Sequence, residues 1–309
     1  MASVAAPAPR QTGRSDQRAW AVRALPYLLL APALIVVLGI FVYPLIDGIR
    51  ASTDFYRFGR VLDHVGLQNY KDVLSDGDFW HSMWVTVRFV FFAVALETLI
   101  GLGLALLCVR ELPFVRSMRL VLIVPMIVMP VVVGIVFRLI YASDVGLFTT
   151  VSTAFGGGQV QILSNETSAF WGLVALDVWE WTPLLFLILL AGLQSLPVEP
   201  FEAARVDGAG PVRTFFDHTL PMLRPVLTVA IVLRTVEAFT TFDQPFVLTK
   251  GGPGTATKLI SLYGYETAFK FQQYGYAMAM LLMVGLVVIA TAFVAVRLIR
   301  RAVEKGSVA

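Results

Sequence analysis

The most informative part of this sequence is a polar segment between two long apolar stretches. It reads SLPVEPFEAARVDGAGPVRTFFDHTLPMLRPV and covers residues 195–226. Pro197 and Pro200 suit the start of a helix. The acidic side chains of Glu199 and Glu202 complement the positive end of a helix dipole. The segment therefore predicts a short helix that begins near these prolines.

The same segment carries signals for the end of that helix and for a second one. Gly208 and Gly210 can adopt the left-handed conformation that ends a helix. Pro211 suits the start of a second short helix, and Pro221 and Pro225 limit its far end. We expect two short helices joined at glycines, which together form a rigid projection suited to the docking of another protein.

The overall composition identifies an integral membrane protein. Of the 309 residues, 57% are hydrophobic and 15% are charged, whereas soluble domains have about 45–50% apolar and about 25% charged residues. The net charge is only +3, and its distribution does not indicate a nucleic-acid surface. The single cysteine excludes an internal disulfide, and the three histidines are scattered over loops. We therefore predict neither a metal site nor catalytic residues.

Six stretches are long and apolar enough to cross a membrane, which requires about 20 residues each. We expect Pro125 and Pro130 to kink the third stretch, because a proline removes a backbone donor from a helix. The six predicted spans are Leu25–Ile46, Met83–Val109, Leu120–Tyr141, Ala169–Gly192, Val226–Leu248 and Tyr276–Val296.

The distribution of basic residues predicts the orientation of the spans, because cytoplasmic loops carry an excess of Lys and Arg. Fourteen basic residues lie in the terminal segments and in the loops after the second and fourth spans, and seven lie in the other loops. Both termini are therefore expected in the cytoplasm. The predicted organisation is a disordered cytoplasmic tail at 1–22, a six-span domain at 23–301 with a cytoplasmic loop at 195–225, and a cytoplasmic tail at 302–309.

The polar segment resembles the EAA motif of permease subunits in binding-protein-dependent ABC importers. The matching residues are Glu202-Ala203-Ala204, Gly208 and Leu220-Pro221. The spacing of the motif is kept throughout, although His218 stands where the motif has an aliphatic residue. The match also lies in the expected place, between the fourth and fifth spans on the side that the charges predict to be cytoplasmic.

Two further stretches resemble the first permease subunit of carbohydrate importers of the maltose, glycerol-phosphate and polyol type. They are Gly66-Leu67-Gln68-Asn69-Tyr70 and the run from Phe242-Asp243 through Leu248-Thr249 to Gly251-Gly252-Pro253-Gly254. The resemblance implies the all-α, type I (MetI-like) ABC importer permease fold, with six transmembrane helices and a cytoplasmic coupling helix. It also implies transport of a sugar or polyol across a bacterial inner membrane into the cytoplasm.

The resemblance implies partners as well. A second related permease, two copies of a cytoplasmic ABC ATPase and an extracytoplasmic solute-binding protein are expected to complete the transporter in the lipid bilayer. ATP and Mg²⁺ are expected on the ATPase subunits, so this chain is expected to be no enzyme and to bind no cofactor. The glycine-rich run at 251–258 lacks the Gly-Lys-Ser/Thr ending of a phosphate-binding loop.

The family assigns a coupling role to the motif, in which the short helix inserts into a cleft of the ATPase. Glu202 inherits the contact with basic groups there, and Gly208 permits the turn. Arg205 is either a further contact or a solvated side chain. The residues that this resemblance assigns to coupling are Glu202, Ala203, Ala204, Asp207, Gly208, Leu220 and Pro221.

Several ionisable and aromatic residues in or near the spans are candidates for a solute path. Ionisable groups inside a membrane are costly, and they usually face a cavity or a partner. The alternative is that paired charges only hold helices together. Trp179 and Trp181 lie about 200° apart on a helix, so only one of them can face the path. The candidates are Glu97, Arg138, Asp177, Trp179, Glu180, Trp181, Arg234, Glu237 and Asp243.

Two other classes of protein fit the sequence less well. A secondary transporter could use the intramembrane carboxylates as a proton relay. It would show inverted repeats and broken helices, but the sequence has no convincing repeat, and this class leaves the polar segment at 195–226 unexplained. A membrane-embedded enzyme would need a catalytic cluster at one membrane depth, whereas the histidines of this chain lie in loops.

Overall fold

The computed structural model describes residues 26–57, 59–109 and 115–306. The chain divides into two compact units, Met1–Ala51 and Ser52–Ala309. The described part of the first unit is one helix, α1 (Pro26–Ala51), with a π-helical turn at Leu38–Val42. The tail predicted at 1–22 lies outside the described residues.

The second unit begins with an antiparallel hairpin, β1 (Asp54–Arg57) and β2 (Arg60–His64), which the sequence did not predict. The rest of its described part is helical, apart from loops. The helices are α2 (Gln68–Ser75), α3 (Gly77–Cys108), α4 (Val115–Ile127), α5 (Pro130–Ile140), α6 (Leu147–Ala154), α7 (Glu166–Gln194), α8 (Glu199–Val206), α9 (Pro211–Phe239), α10 (Asp243–Leu248), α11 (Ile260–Tyr265) and α12 (Tyr274–Gly306).

Five described helices are long and apolar enough to cross a membrane, namely α1, α3, α7, α9 and α12. The bent pair of α4 and α5 makes a sixth candidate if it is counted as one span. The structure therefore agrees with the predicted number of spans. It corrects the course of the third and fifth, and it extends the last helix to Gly306, into the predicted tail.

The predicted third span, Leu120–Tyr141, is broken rather than kinked. The helices on either side of the break, α4 and α5, are bent by 96° relative to each other. The break falls at Met129, whose backbone is extended, with φ −62° and ψ 133°. The ring of Pro130 disfavours a helical conformation for the residue before it. Pro125 remains inside α4.

The predicted fifth span, Val226–Leu248, is too long at its far end, because α9 stops at Phe239 and α10 is a separate helix. If the helix continued, the N–H of residue 245 would donate to the carbonyl oxygen of Thr241. Residue 245 is Pro245, which has no N–H. The hydroxyl of Ser261 donates to the Thr241 carbonyl oxygen instead, at 2.5 Å.

At its other end, α9 absorbs the predicted second short helix. It begins at Pro211, as predicted, but it continues past Pro221 and Pro225. A π-helical turn at Phe215–Thr219 precedes Pro221. Pro221 therefore stands in the first turn of the next α-helical segment, where its missing N–H is tolerated. The expectation that these prolines end a short helix is wrong.

The stretch Gly66–Tyr70 fastens the hairpin to the rest of the second unit. The side-chain amide of Asn69 donates to the carbonyl oxygens of Ser52 and Asp54, at 2.8 and 3.0 Å. The hydroxyl groups of Tyr70 and Ser52 lie 2.7 Å apart. Gly66 has a φ of +58°, which favours glycine at the turn into α2.

The centre of the second unit is the packing of α7 against α3 and α9. Two glycines allow these helices to approach closely. A Cβ atom at Gly101 of α3 would lie 3.1 Å from the backbone nitrogen of Phe186, and one at Gly192 of α7 would lie 2.8 Å from Cγ1 of Val226. Small residues at such contacts are typical of helix packing in membranes.

We predict that Gly192→Val destabilises the isolated chain in detergent. Its new side chain would collide with α9, and overpacking of this kind costs about 1–3 kcal/mol. Thermal unfolding followed by tryptophan fluorescence measures the effect. The matched control is Gly103→Val in α3, where a Cβ atom meets nothing within 4 Å. Equal melting temperatures for the two variants would contradict the close contact.

Candidate functional site

The motif helix α8 ends in a well-formed glycine cap. Gly208 has a φ of +74°, and its N–H donates to the carbonyl oxygen of Arg205 at 3.1 Å. The N–H of Ala209 donates to the carbonyl oxygen of Ala204 at 2.9 Å. This pair of bonds is the Schellman arrangement, which satisfies the last carbonyl groups of a helix. A Cβ at position 208 would have free space, so the backbone conformation is what favours glycine there.

The exposed surface of α8 presents the residues that the sequence assigned to coupling. Glu202, Ala203 and Asp207 are exposed, while Ala204 is buried on the opposite face. The remaining motif residues, Leu220 and Pro221, are half-buried in α9. Arg205 and Val206 are exposed as well, so the surface of this capped helix carries acidic, small, basic and apolar side chains.

A buried ion network joins three of the spanning helices. Arg234 of α9 donates from Nε and Nη2 to the two carboxylate oxygens of Glu97 in α3, at 2.8 and 3.0 Å. Its Nη2 also donates to Asp177 of α7. All three side chains are fully buried. Glu97 and Arg234 thus form a bidentate pair, although 137 positions separate them in the sequence. Two parallel hydrogen bonds of this kind are the strongest interaction that a guanidinium group and a carboxylate make.

A polar pocket of about 170 Å³ lies next to this network, at the point where α9 ends and α10 begins. Glu237 stands one helical turn after Arg234 and lines the pocket. Trp181 supplies an aromatic ring to its wall, and Asp243 supplies a second carboxylate. The full lining is Pro130, Trp181, Glu237, Thr240, Thr241, Phe242, Asp243 and Gln244.

A buried hydrogen bond connects the pocket to α7. The side-chain amide of Gln244 donates from Nε2 to Oε2 of Glu180 at 2.6 Å. Glu180 is 1% exposed and Gln244 is also 1% exposed. The amide nitrogen of Gln244 therefore faces Glu180, and its amide oxygen is directed to other surroundings.

The other predicted path residues lie elsewhere. Trp179 is 45% exposed and lines an apolar groove with residues of α3 and α4. Arg138 donates to the carbonyl oxygen of Val247 at 3.3 Å and lines a separate small pocket. The structure therefore gathers Trp181, Glu237 and Asp243 at one pocket, with Glu180 behind it. It assigns Glu97, Asp177 and Arg234 to the ion network, which is the alternative that the sequence left open.

The sequence reading missed Gln244, Thr240 and Thr241, which are uncharged and lie where a continuous helix was expected. It also missed a carboxylate that joins three elements at the end of the unit remote from α8. Oδ2 of Asp76 accepts hydrogen bonds from Tyr263 and Tyr276, at 2.7 and 2.5 Å. Burial is the largest influence and opposes the charge of Asp76, but the two tyrosine hydrogen bonds and those from the backbone of Asp78 and Phe79 together outweigh it and lower the pKa of its carboxyl.

The sequence profile of a known family matches residues 97–305, a range that contains the ion network, α8 and the polar pocket. The family is the binding-protein-dependent transport system inner membrane component. The match covers more than half of the chain, so the chain belongs to this family. It is accordingly a multi-pass membrane transport subunit and not an enzyme.

Several characterised relatives cover most of the chain. The trehalose/maltose transport system permease protein MalF of Thermococcus litoralis is 40% identical over 243 residues, which are 78% of this chain and 82% of that protein. The sulfoquinovosyl glycerol transport system permease protein SmoG of Agrobacterium fabrum is 34% identical over 284 residues, which are 90% of this chain and 91% of that protein.

The fold is that of a known transporter subunit. A chain of a bacterial alginate ABC transporter, solved in complex with an alginate pentasaccharide-bound periplasmic protein, matches with a TM-score of 0.81. The match covers 94% of this chain and 98% of that chain, at 19% sequence identity. This likeness confirms the predicted permease fold.

We predict that Arg234→Met severely destabilises the chain. It would leave Glu97 and Asp177 buried without their cation, and breaking a buried pair in this way costs about 3–5 kcal/mol. The fraction of monodisperse protein after size exclusion in detergent measures the loss. The triple variant with Glu97→Gln and Asp177→Asn, which removes all three charges, should recover much of it. A triple variant no better than Arg234→Met would contradict the network.

Proposed function

We propose that this chain is the transmembrane permease subunit of an ATP-driven ABC importer that moves a carbohydrate, a sugar or a polyol, into the cytoplasm. The observation that carries the proposal is α8, a rigidly capped and exposed helix with the coupling motif, in a chain of the binding-protein-dependent transport family. The choice of carbohydrate is supported by the names of the relatives, which include a trehalose/maltose and a sulfoquinovosyl glycerol permease.

The proposed assembly contains four other subunits. This chain pairs with a second, related permease, and two copies of a cytoplasmic ATPase hold ATP and Mg²⁺. An extracytoplasmic protein delivers the solute from the other side. In this arrangement the chain lies in a bacterial inner membrane, with both termini and α8 in the cytoplasm, which agrees with the distribution of Lys and Arg along the sequence.

The geometry of α8 and α9 suggests how ATP binding reaches the solute path. In the proposal, Glu202 contacts basic groups of the ATPase, and Ala203 allows a close approach. Gly210 alone separates the cap of α8 from the start of α9 at Pro211. The helix α9 has 29 residues, which correspond to about 43 Å at about 1.5 Å per residue, and it contains the π-helical turn at Phe215–Thr219 and Pro225. A displacement of α8 is therefore passed along α9 to the polar pocket at its far end.

The proposed solute path runs through that polar pocket. Trp181 offers an apolar face to sugar C–H groups, and the carboxylates of Glu237 and Asp243 accept hydrogen bonds from sugar hydroxyl groups. Sites for small solutes combine aromatic walls with a few placed polar groups in this way. We exclude the network residues Glu97, Asp177 and Arg234 from direct contact with the solute, because their side chains are fully buried against one another.

A secondary transporter is the weaker alternative. A proton relay would need the intramembrane carboxylates to be free to change protonation along a path. Glu97 and Asp177 are instead bound to Arg234. That alternative also gives no role to the capped helix α8.

We predict that Glu202→Lys abolishes recovery of the ATPase with this chain. The variant would place a cation against the basic groups proposed for the ATPase cleft. Pull-down from mild detergent of the tagged chain, co-expressed with its transporter partners, measures the association. Asp63→Lys makes the same charge change in the exposed hairpin strand β2 and should not affect recovery. Loss of the ATPase from both variants, or from neither, would contradict the coupling role of α8.

We also predict that the solute-binding protein that associates with the complex carries a carbohydrate. Mass spectrometry of the ligand released from that protein after acid precipitation identifies it directly. A sugar or polyol is expected. An amino acid, a peptide or a metal ion would contradict the proposed class of solute, while leaving the coupling experiment unaffected.

A further inference from the structure

We propose that the polar pocket selects solutes by charge, so that it takes a polyhydroxylated solute without negative charge and disfavours one that bears a carboxylate or a sulfonate. The inference rests on the proposed function, because it assumes that the pocket lies on the solute path. It goes further by assigning the selection to the permease itself rather than to the protein that delivers the solute.

The first argument is that two residues of the pocket lining carry hydrogen-bond acceptors that lack donors. Oε2 of Glu237 is buried and has no hydrogen-bond partner among the described residues, and the same holds for Oε1 of Gln244. The Nε2 of Gln244 is bound to Glu180, so its Oε1 is not used in that hydrogen bond. The hydroxyl of Thr240 is already used as a donor, to the carbonyl oxygen of Glu237 at 2.8 Å. A hydroxyl group can donate to an oxygen of this kind, whereas a carboxylate or a sulfonate has no hydrogen to donate.

The second argument is the sign of the local charge. Glu237 and Asp243 line the pocket, and no Lys, Arg or His is among the lining residues in the part of the chain that the structure describes. The nearby guanidinium group of Arg234 is fully buried, and its Nε and Nη2 are bound to Glu97 and Asp177, while its Nη1 has no hydrogen-bond partner among the described residues. A pocket lined by charge of one sign with low-dielectric walls concentrates its field, and it repels a solute of the same sign.

The third argument is that carboxylates surround the cation of Arg234, whose Cζ lies 5.2 Å from the ring centroid of Trp181 in the pocket wall. Arg234 and Glu237 are three residues apart on α9, and Asp177 and Glu180 are three apart on α7, so each pair shares a helix face. The first residue of each pair, Arg234 or Asp177, belongs to the ion network. Of the second residues, Glu237 lines the pocket, and Glu180 binds the lining residue Gln244. The positive charge is therefore neutralised one turn away, and the carboxylates determine the charge that a solute meets.

The test compares the access of a cation and an anion of similar size to one position in the pocket. The chain has a single native cysteine, Cys108, which is buried, so a Cys108→Ala background allows one reporter thiol. Thr241→Cys places that thiol in the pocket lining. Thr150→Cys is the control, because it stands exposed on α6, a helix without charged residues. Each variant is isolated as the full complex through a tag on the ATPase.

The two probes are methanethiosulfonate reagents that carry a trimethylammonium or a sulfonate group, and mass spectrometry follows the modification rate. The ratio of the cationic to the anionic rate should be about tenfold or more higher at Thr241→Cys than at Thr150→Cys, since charged clefts change local ion concentrations by at least this factor. Adding Glu237→Gln should lower the ratio at Thr241→Cys towards the control value.

Three outcomes would overturn the charge selection. They are equal ratios at the two positions, a ratio that Glu237→Gln leaves unchanged, and a thiol at position 241 that neither reagent reaches. Each of these results is measured on a complex that has been recovered through the tagged ATPase. The recovery itself supports the importer assignment, so these results count only against the charge selection. If the tagged ATPase recovers no chain even without the pocket substitutions, the proposed function itself fails, so the two failures are distinguishable.

Discussion

The bidentate pairing of Arg234 with Glu97, shared with Asp177, is the constraint on which the arrangement of the spans depends. Three charges removed from water need most of their hydrogen bonds to be made inside the protein, and here only Nη1 of Arg234 and Oδ1 of Asp177 lack a partner among the described residues. The planar guanidinium group can serve two carboxylates on different helices, which the ammonium group of a lysine would do less specifically. Rotation of α3, α7 or α9 about its own axis would break this geometry. The same helix pairs make the close contacts at the two glycines. Gly101 of α3 lies against α7, and Gly192 of α7 lies against α9.

The polar pocket is the continuation of this network by one helical turn. On α7 and on α9, a residue of the ion network is followed three positions later by a carboxylate that serves the pocket. Asp177 and Arg234 bind each other, whereas Glu180 binds Gln244 of the pocket lining and Glu237 lines the pocket itself. The same spacing of three residues on two helices thus places one pair in the ion network and the other at the pocket.

Much of the fold could be predicted from the sequence, because hydropathy identifies long apolar helices and a short motif identifies α8. Hydropathy cannot locate a break inside an apolar stretch. The breaks at Met129 and after Phe239 depend on prolines and on a hydrogen bond from Ser261, which stands twenty residues from its partner. The hairpin was missed because its strands are short and because β2 is exposed along its whole length.

The site was predictable only in part, because helical periodicity describes neighbours on one helix and not contacts between helices. Helical periodicity correctly indicated that Trp179 and Trp181 face different surroundings, and that Arg234 and Glu237 share a face. It could not indicate that Glu97 meets Arg234, because that contact is between distant parts of the chain. Nor could it identify Gln244, whose role comes from the course of the chain after α9 ends.

The two interrupted spans have a mechanical consequence. The short helices α5 and α10 pack against each other: a Cβ at Gly134 would lie 3.2 Å from Cβ of Val247, and Arg138 donates to the carbonyl oxygen of Val247. Each is joined to its longer neighbour by two or three non-helical residues. Rotation about those few backbone bonds breaks none of the hydrogen bonds within α4, α5, α9 or α10. The pair of α5 and α10 can therefore move as one body relative to α4 and α9. The connecting segments and the side-chain contacts, rather than the helices themselves, determine how far it moves.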